Sequence, residues 1–102
     1  MHNLISIAMC SYNGERFIKE QIDSIIAQTY KNFELIIVDD GSKDNTINII
    51  KEYQSKDLRI KLFQNDNNLG FVKNFEKAIS LCSGDYIALA DQDDVWKKNK
   101  LE

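Results

Sequence analysis

Apolar residues along this chain alternate between strand-like runs and helical spacing. Leu4 to Cys10 reads Leu-Ile-Ser-Ile-Ala-Met-Cys, a nearly unbroken apolar run. Such a run suits a strand buried on both faces, as in a parallel sheet. Ser11-Tyr12-Asn13-Gly14 breaks it. From about Glu15 to Gln28, Ile18, Ile22, Ile25 and Ile26 fall on one helical face. Phe33 to Val38 predicts a second strand, and the polar turn Asp39 to Asn45 ends it. Asn45 or Thr46 is placed to cap the next helix, which runs to about Ser55 and is marked by Ile47, Ile50 and Tyr53. Ile60 to Gln64 is a short strand, followed by the loop Asn65-Asp66-Asn67-Asn68. Phe71, Phe75, Ala78, Ile79 and Cys82 then mark a third helix, with Gly84 where a helix C-terminal glycine belongs. Tyr86 to Ala90 is the fourth strand, and Asp91-Gln92-Asp93-Asp94 ends it in acid.

The pattern is βαβαβαβ, which implies parallel strands joined by right-handed helical crossovers. The expected fold is α/β: a doubly wound, mostly parallel sheet of about four strands with helices on both faces. The usual strand order is 3-2-1-4, reversing between strands 1 and 4, and ligands bind outside the carboxyl ends of the strands at such a reversal. Ser11 to Gly14 and Asp91 to Asp94 flank that point, with Asp39-Asp40 beside them. Three polar clusters far apart in sequence are therefore expected at one crevice.

Composition narrows the function classes. The chain has 102 residues, 43% hydrophobic and 28% charged, with no internal repeat, as in an ordinary globular domain. Its net charge of −3 argues against a nucleic-acid partner, which calls for a basic face. Cys10 and Cys82 lie far apart without CxxC spacing, so they read as small buried hydrophobes of a reducing compartment. The N-terminus lacks a signal-peptide pattern, and the longest apolar runs are far short of a transmembrane segment. The expected location is cytoplasmic, with the inner face of the membrane available through sequence not present here.

Asp91 and Asp93 are two apart, so in an extended stretch both point to one side. Hard cations such as Mg2+ or Mn2+ prefer such oxygens. The same tetrapeptide also suits a solvated acidic turn. Asp39 and Asp40, just past strand 2, are placed to accept from a ribose hydroxyl or a base N–H, although Asp-Asp-Gly-Ser is equally ordinary turn chemistry. Tyr12 can pack on a base or simply cover the core. The loop after strand 1 contains no G-x-G-x-x-G and no G-x-x-x-x-G-K, so phosphate charge has to be met by a metal and a cation. Lys73 is a candidate cation that spacing alone does not separate from a surface lysine. Trp96 follows the acidic loop and reads first as packing. With His2 as the one histidine, no Ser/His/Asp or Cys/His arrangement is available.

Taken together, Ile7 to Asn13, Ser24 to Glu34, Ile37 to Ser42, and Gly84 to Ile87 through Asp91 to Trp96 resemble the N-terminal part of the family 2 glycosyltransferases, the inverting GT-A group. The resemblance covers nearly the whole chain, in the family's order and spacing. It implies transfer of a sugar from a nucleotide-diphosphate-sugar donor to an acceptor hydroxyl, with inversion, in bacterial cell-surface polysaccharide synthesis. It implies that Cys10 and Tyr12 line the nucleobase, with Cys10 where the family often has Thr. It further implies that Asp40, and with it Asp39, reads the base. Lys73 matches a basic position near the base or diphosphate. Asp91 and Asp93 match the outer members of the DxD motif that binds Mg2+ or Mn2+ and the donor, with Asp93 the direct ligand.

Residues 1–102 are thus expected to be the donor-binding part of a transferase domain that stops soon after the acidic motif. The general base and the residues that choose a saccharide or lipid-linked saccharide acceptor are expected beyond residue 102. Asp-Gln-Asp-Asp-Val-Trp leans toward rhamnosyltransferase-like members. The alternative is a nucleotide-binding or receiver-like module without transferase activity. A receiver needs an acid pair after strand 1, and here that strand ends in Cys10-Ser11-Tyr12.

Overall fold

The computed structural model describes residues 3–90 and 101. The elements are β1 (Ile5–Ser11), α1 (Ile18–Ile26), β2 (Phe33–Asp39), α2 (Thr46–Lys56), β3 (Ile60–Gln64), α3 (Phe71–Ser80) and β4 (Tyr86–Ala90). The strands form one sheet in the order β3-β2-β1-β4, and every neighbouring pair is parallel. This is the expected α/β arrangement.

The apolar runs of β1 and β2 follow from their central position, which covers both their faces. Ile7, Met9, Leu35 and Ile37 point to the side where Ile18, Ile22 and Ile25 of α1 and Ile50 of α2 pack. Ala8, Cys10, Ile36 and Val38 point to the other side, against Ala78 and Phe75 of α3. Each isoleucine fully removed from water in this way contributes about 1.5–3 kcal/mol. Cys10 is buried and Cys82 half-buried beside the same cluster, and neither is in a disulfide. Burial pushes the Cys82 thiol above its ordinary pKa, so both behave as the small hydrophobes expected.

Three local expectations are corrected. First, α1 starts at Ile18, not Glu15. Asn13 takes φ +50, and Gly14 O accepts from Phe17 N and Ile18 N. Glu15 N donates to Asp44 Oδ2, so residues 15–17 form a turn tied to the neighbouring loop. Second, Asn45 stands at the N-cap position of α2 as expected, but neither its side chain nor that of Thr46 accepts the capping bond. Asp44 Oδ1 does, from Thr46 N at 3.0 Å, while Thr46 Oγ1 accepts from Gly14 N at 2.9 Å. Third, Gly84 does not end α3, which stops at Ser80 with Leu81 as its cap. Gly84 instead lies where a Cβ would sit 2.7 Å from Leu4 O and 2.7 Å from Ser6 Oγ. The residue is a glycine because the loop entering β4 presses on the backbone of β1.

Candidate functional site

The ladder bonds bring the carboxyl ends of the strands level. Ser11 pairs with Asp39, Asp39 with Gln64, and Met9 with Ala90. Two bonds past the regular pairs, Asp40 N to Ser11 O and Asn65 N to Asp39 O, both 2.9 Å, continue this alignment into the loops. Strand order reverses between β1 and β4. Two of the three polar clusters singled out in the sequence, Ser11–Gly14 and Asp39–Asp40, are therefore side by side. The third follows Ala90. Its Asp91 and Asp93 lie outside the described residues, as does Trp96.

Asp39 is a structural hub. Its Oδ1 accepts from Ser11 Oγ and Ser42 Oγ, both at 2.6 Å. Its Oδ2 accepts from Ser42 N at 2.7 Å and Gly41 N at 3.1 Å. A carboxylate has about four acceptor positions, and these four bonds occupy them. The two loops are joined further by Asn13 N to Ser42 Oγ and Lys43 N to Asn13 Oδ1, both 2.8 Å.

Asp40 faces the other way and holds the loop between β3 and α3. Oδ1 accepts from Leu69 N at 2.7 Å and Asn65 Nδ2 at 2.8 Å, and Oδ2 accepts from Gly70 N at 3.0 Å. Gly70 reaches this bond with φ +87, a conformation that favours glycine. One acceptor position on Oδ2 has no donor among the described residues. Burial alone would raise the Asp40 pKa. Bonds from Leu69, Asn65 and Gly70 and the charge of Lys77 outweigh it and hold the carboxyl below its usual range.

The remaining predicted residues surround this pair. Tyr12 stands just past β1 with 45% of its surface exposed, enough to offer a ring face. Cys10 is mostly covered, with 9% exposed. Lys73 is exposed on the first turn of α3, next to Asn74, which is buried. Ser11 and Ser42 belong to segments marked in the sequence without a role of their own, and Asn65, Asn74 and Lys77 were not singled out as site residues. Asn74 carried a usable signal: it falls on the helix face of Phe71 and Ala78, and a polar residue inside an apolar stripe needs a buried partner. Asn65 and Lys77 act through partners distant in sequence and left no comparable mark.

No group of three His, Cys, Asp or Glu side chains suited to a metal occurs among the described residues. Asp39 and Asp40 are already engaged by protein donors. No described helix is long and apolar enough to cross a membrane.

Comparison with known proteins agrees with this geometry. The family model described as "Glycosyl transferase family 2" matches residues 6–102. An uncharacterized glycosyltransferase of Haemophilus influenzae is 42% identical over 99 residues, covering 97% of this chain and 31% of that protein. The UDP-Glc:alpha-D-GlcNAc-diphosphoundecaprenol beta-1,3-glucosyltransferase WfgD of Escherichia coli is 44% identical over 99 residues, covering 97% of this chain and 38% of that protein. The crystal structure of S. aureus TarS 1-349 in complex with UDP superposes with a TM-score of 0.88 at 32% identity, over 95% of this chain and 29% of that one. The chain thus spans about a third of the length of the curated relatives it matches.

Proposed function

The chain belongs to glycosyl transferase family 2, and we propose that it carries the donor side of an inverting transferase that moves a sugar from a nucleotide-diphosphate-sugar to an acceptor hydroxyl. The observation that carries this reading is the meeting of the Ser11–Gly14 and Asp39–Asp40 segments with the end of β4 where the strand order reverses. An open crevice at such a reversal is where doubly wound sheets take nucleotides.

The residues divide the work by chemistry. Tyr12 stacks on the base and Cys10 closes the floor beneath it. Asp40, with an acceptor position left on Oδ2, takes the base N–H. Asp39 holds the two loops in register and so acts on the nucleotide through them. Lys73 meets the diphosphate as a point charge. Asp91 and Asp93 offer the oxygens for Mg2+ or Mn2+, which when bound neutralises charge on the departing diphosphate. The carboxylate base that deprotonates the acceptor belongs, in this proposal, to the two thirds of the relatives' length that this chain does not span. Residues 1–102 then bind nucleotide but do not transfer sugar.

The UDP complex of TarS supports a uridine nucleotide as donor. The printed name of the E. coli relative supports a lipid-linked saccharide acceptor, and that of the putative teichuronic acid biosynthesis glycosyltransferase TuaG of Bacillus subtilis, 38% identical over 99 residues, supports cell-surface polysaccharide synthesis. In this proposal the work is done in the cytoplasm at the inner face of the membrane. A rhamnosyl donor remains an arm of the test.

The test is calorimetric titration of UDP and dTDP into this chain, with and without Mn2+, beside Asp93→Asn. Binding should require Mn2+ and weaken at least roughly tenfold in Asp93→Asn, the loss of one charge-assisted contact. Nucleotide binding indifferent to both the metal and the substitution would sink the assignment of Asp93. A preference for dTDP over UDP would favour the rhamnosyl type.

A further inference from the structure

Behind Asp40 runs a chain of side-chain bonds whose direction is set at both ends. Lys77 Nζ can only donate, and it lies 2.6 Å from Asn65 Oδ1. Nδ2 of Asn65 is then the donating end. It bonds Asp40 Oδ1 at 2.8 Å and Asn74 Oδ1 at 2.6 Å. Nδ2 of Asn74 donates in turn to the Val38 carbonyl at 2.9 Å, which can only accept. Turning Asn65 over would set donor against donor at Lys77 and acceptor against acceptor at Asp40. Turning Asn74 over would do the same at Asn65 and Val38. Shape alone seldom assigns an amide, but here the terminal groups do. Asn74 is 2% exposed, so water does not compete with its bonds. The charged groups around the Asp40 carboxylate are Lys77 on α3 and, next to it in the chain, Asp39, whose oxygens are bonded to the Ser11 and Ser42 side instead.

We propose that Lys77, Asn65 and Asn74 are positioning residues for Asp40, whose one-way relay holds it as a fixed acceptor and makes the site select a base with a ring N–H. Uracil, thymine and guanine present that N–H. Cytosine and adenine present a ring nitrogen lone pair, which a carboxylate repels. A carboxylate turned away from the base would lose the bond to that N–H, and one that took up a proton would donate to the lone pair instead, so either change removes the preference. The inference rests on the reading of Asp40 as the residue that meets the base. It goes further by locating base choice in side chains of α3 and of the loop before it, behind Asp40.

UDP and CDP carry the same ribose and diphosphate, so titrating both into this chain with Mn2+ isolates the base. The wild-type chain should prefer UDP by roughly 10- to 100-fold, as for a hydrogen bond to a charged group. Lys77→Met and Asn65→Ala should each bring the two nucleotides to within about threefold, mainly by weakening UDP. Lys77→Arg, which also only donates, should keep the preference. Circular dichroism identifies which variants are folded, and either of the first two suffices. A folded variant that keeps the UDP preference, or that loses UDP and CDP equally, overturns the relay while leaving the donor site standing. A folded wild-type chain that binds neither nucleotide fails differently and removes the donor-site reading together with this proposal.

Discussion

Asp39 and Asp40 are neighbours in the chain, yet the first closes a hub between two loops and the second keeps one acceptor position without a donor among the described residues. The sequence placed both at the strand end but could not divide them, because the donors to Asp40, and Ser11 which ties Asp39 to β1, come from residues 25 to 30 positions away. Glu34 makes the same point at the opposite end of the sheet. It sits inside an apolar strand and is 5% exposed. Ser83 N at 2.7 Å, Ser83 Oγ at 2.9 Å and Lys61 Nζ at 3.1 Å reach its carboxylate, together with Ser6 Oγ. Burial by itself would raise its pKa. The bonds from Ser6, Ser83 and Lys61 outweigh burial and pull it down to about 2 from 4.5. The folded pKa is the lower one, so the stabilisation is present above pH 4.5 and is lost as pH falls toward 2. At about 1.4 kcal/mol per pKa unit the amount is on the order of 3 kcal/mol. In urea titrations from pH 5 to 2.5, Glu34→Gln should therefore show a shallower loss of stability than the wild type. Asp40, Asp44 and Asp57 are also lowered and keep some slope. Parallel curves for the two proteins would show that Glu34 is not responsible.

At the scale of elements, every strand and helix expected from hydrophobic period is present, and the errors are confined to ends. Period reports which residues are buried, and burial persists through an element. Ends depend on where individual N–H groups find partners, as at Glu15 and Thr46, and those partners lie in the adjacent loop. Gly84 shows the cost of guessing from local grammar. It reads as a helix stop, but its missing Cβ makes room for Leu4 O and for Ser6 N at 2.8 Å. Both contacts are backbone and cannot swing aside. Gly84→Ala should therefore cost about 1–3 kcal/mol, as other overpacked sites do. The urea midpoint of the variant measures this, and a midpoint equal to wild type would mean that the loop yields freely.

At the scale of the molecule, β4 pairs with β1 on one side only among the described residues. Tyr86, Ile87 and Leu89 are 60%, 46% and 55% exposed along it, and Phe71 and Val72 of α3 are 67% and 66% exposed nearby. One cleft is lined by Ile5, Tyr30, Tyr86 and Ile87, and another by Phe71, Phe75, Ile79 and Leu89. An apolar edge of this kind pairs readily with other chains. Residues 1–102 by themselves should therefore self-associate as concentration rises, and a lysine at the edge (Ile87→Lys or Leu89→Lys) should reduce this in sedimentation velocity. A monomeric wild type at the highest concentration would show that this edge is adequately protected.

The order of elements, the parallel sheet and the meeting of the Ser11–Gly14 and Asp39–Asp40 segments were determined by the sequence alone. Apolar period marks buried faces, and parallel crossovers leave few topologies open. The family was legible too, since its motifs occur in order across nearly the whole chain. Only the tertiary structure decided that Asp39 is fully engaged while Asp40 keeps an acceptor position among the described residues, that Asp44 Oδ1 bonds the first N–H of α2, and that Asn65, Asn74 and Lys77 stand behind Asp40. The physical reason is the range of the forces. Hydrophobic burial is non-directional and is written along the chain as a period. Hydrogen bonds are directional and short, and their partners are brought within about 3 Å only by the fold.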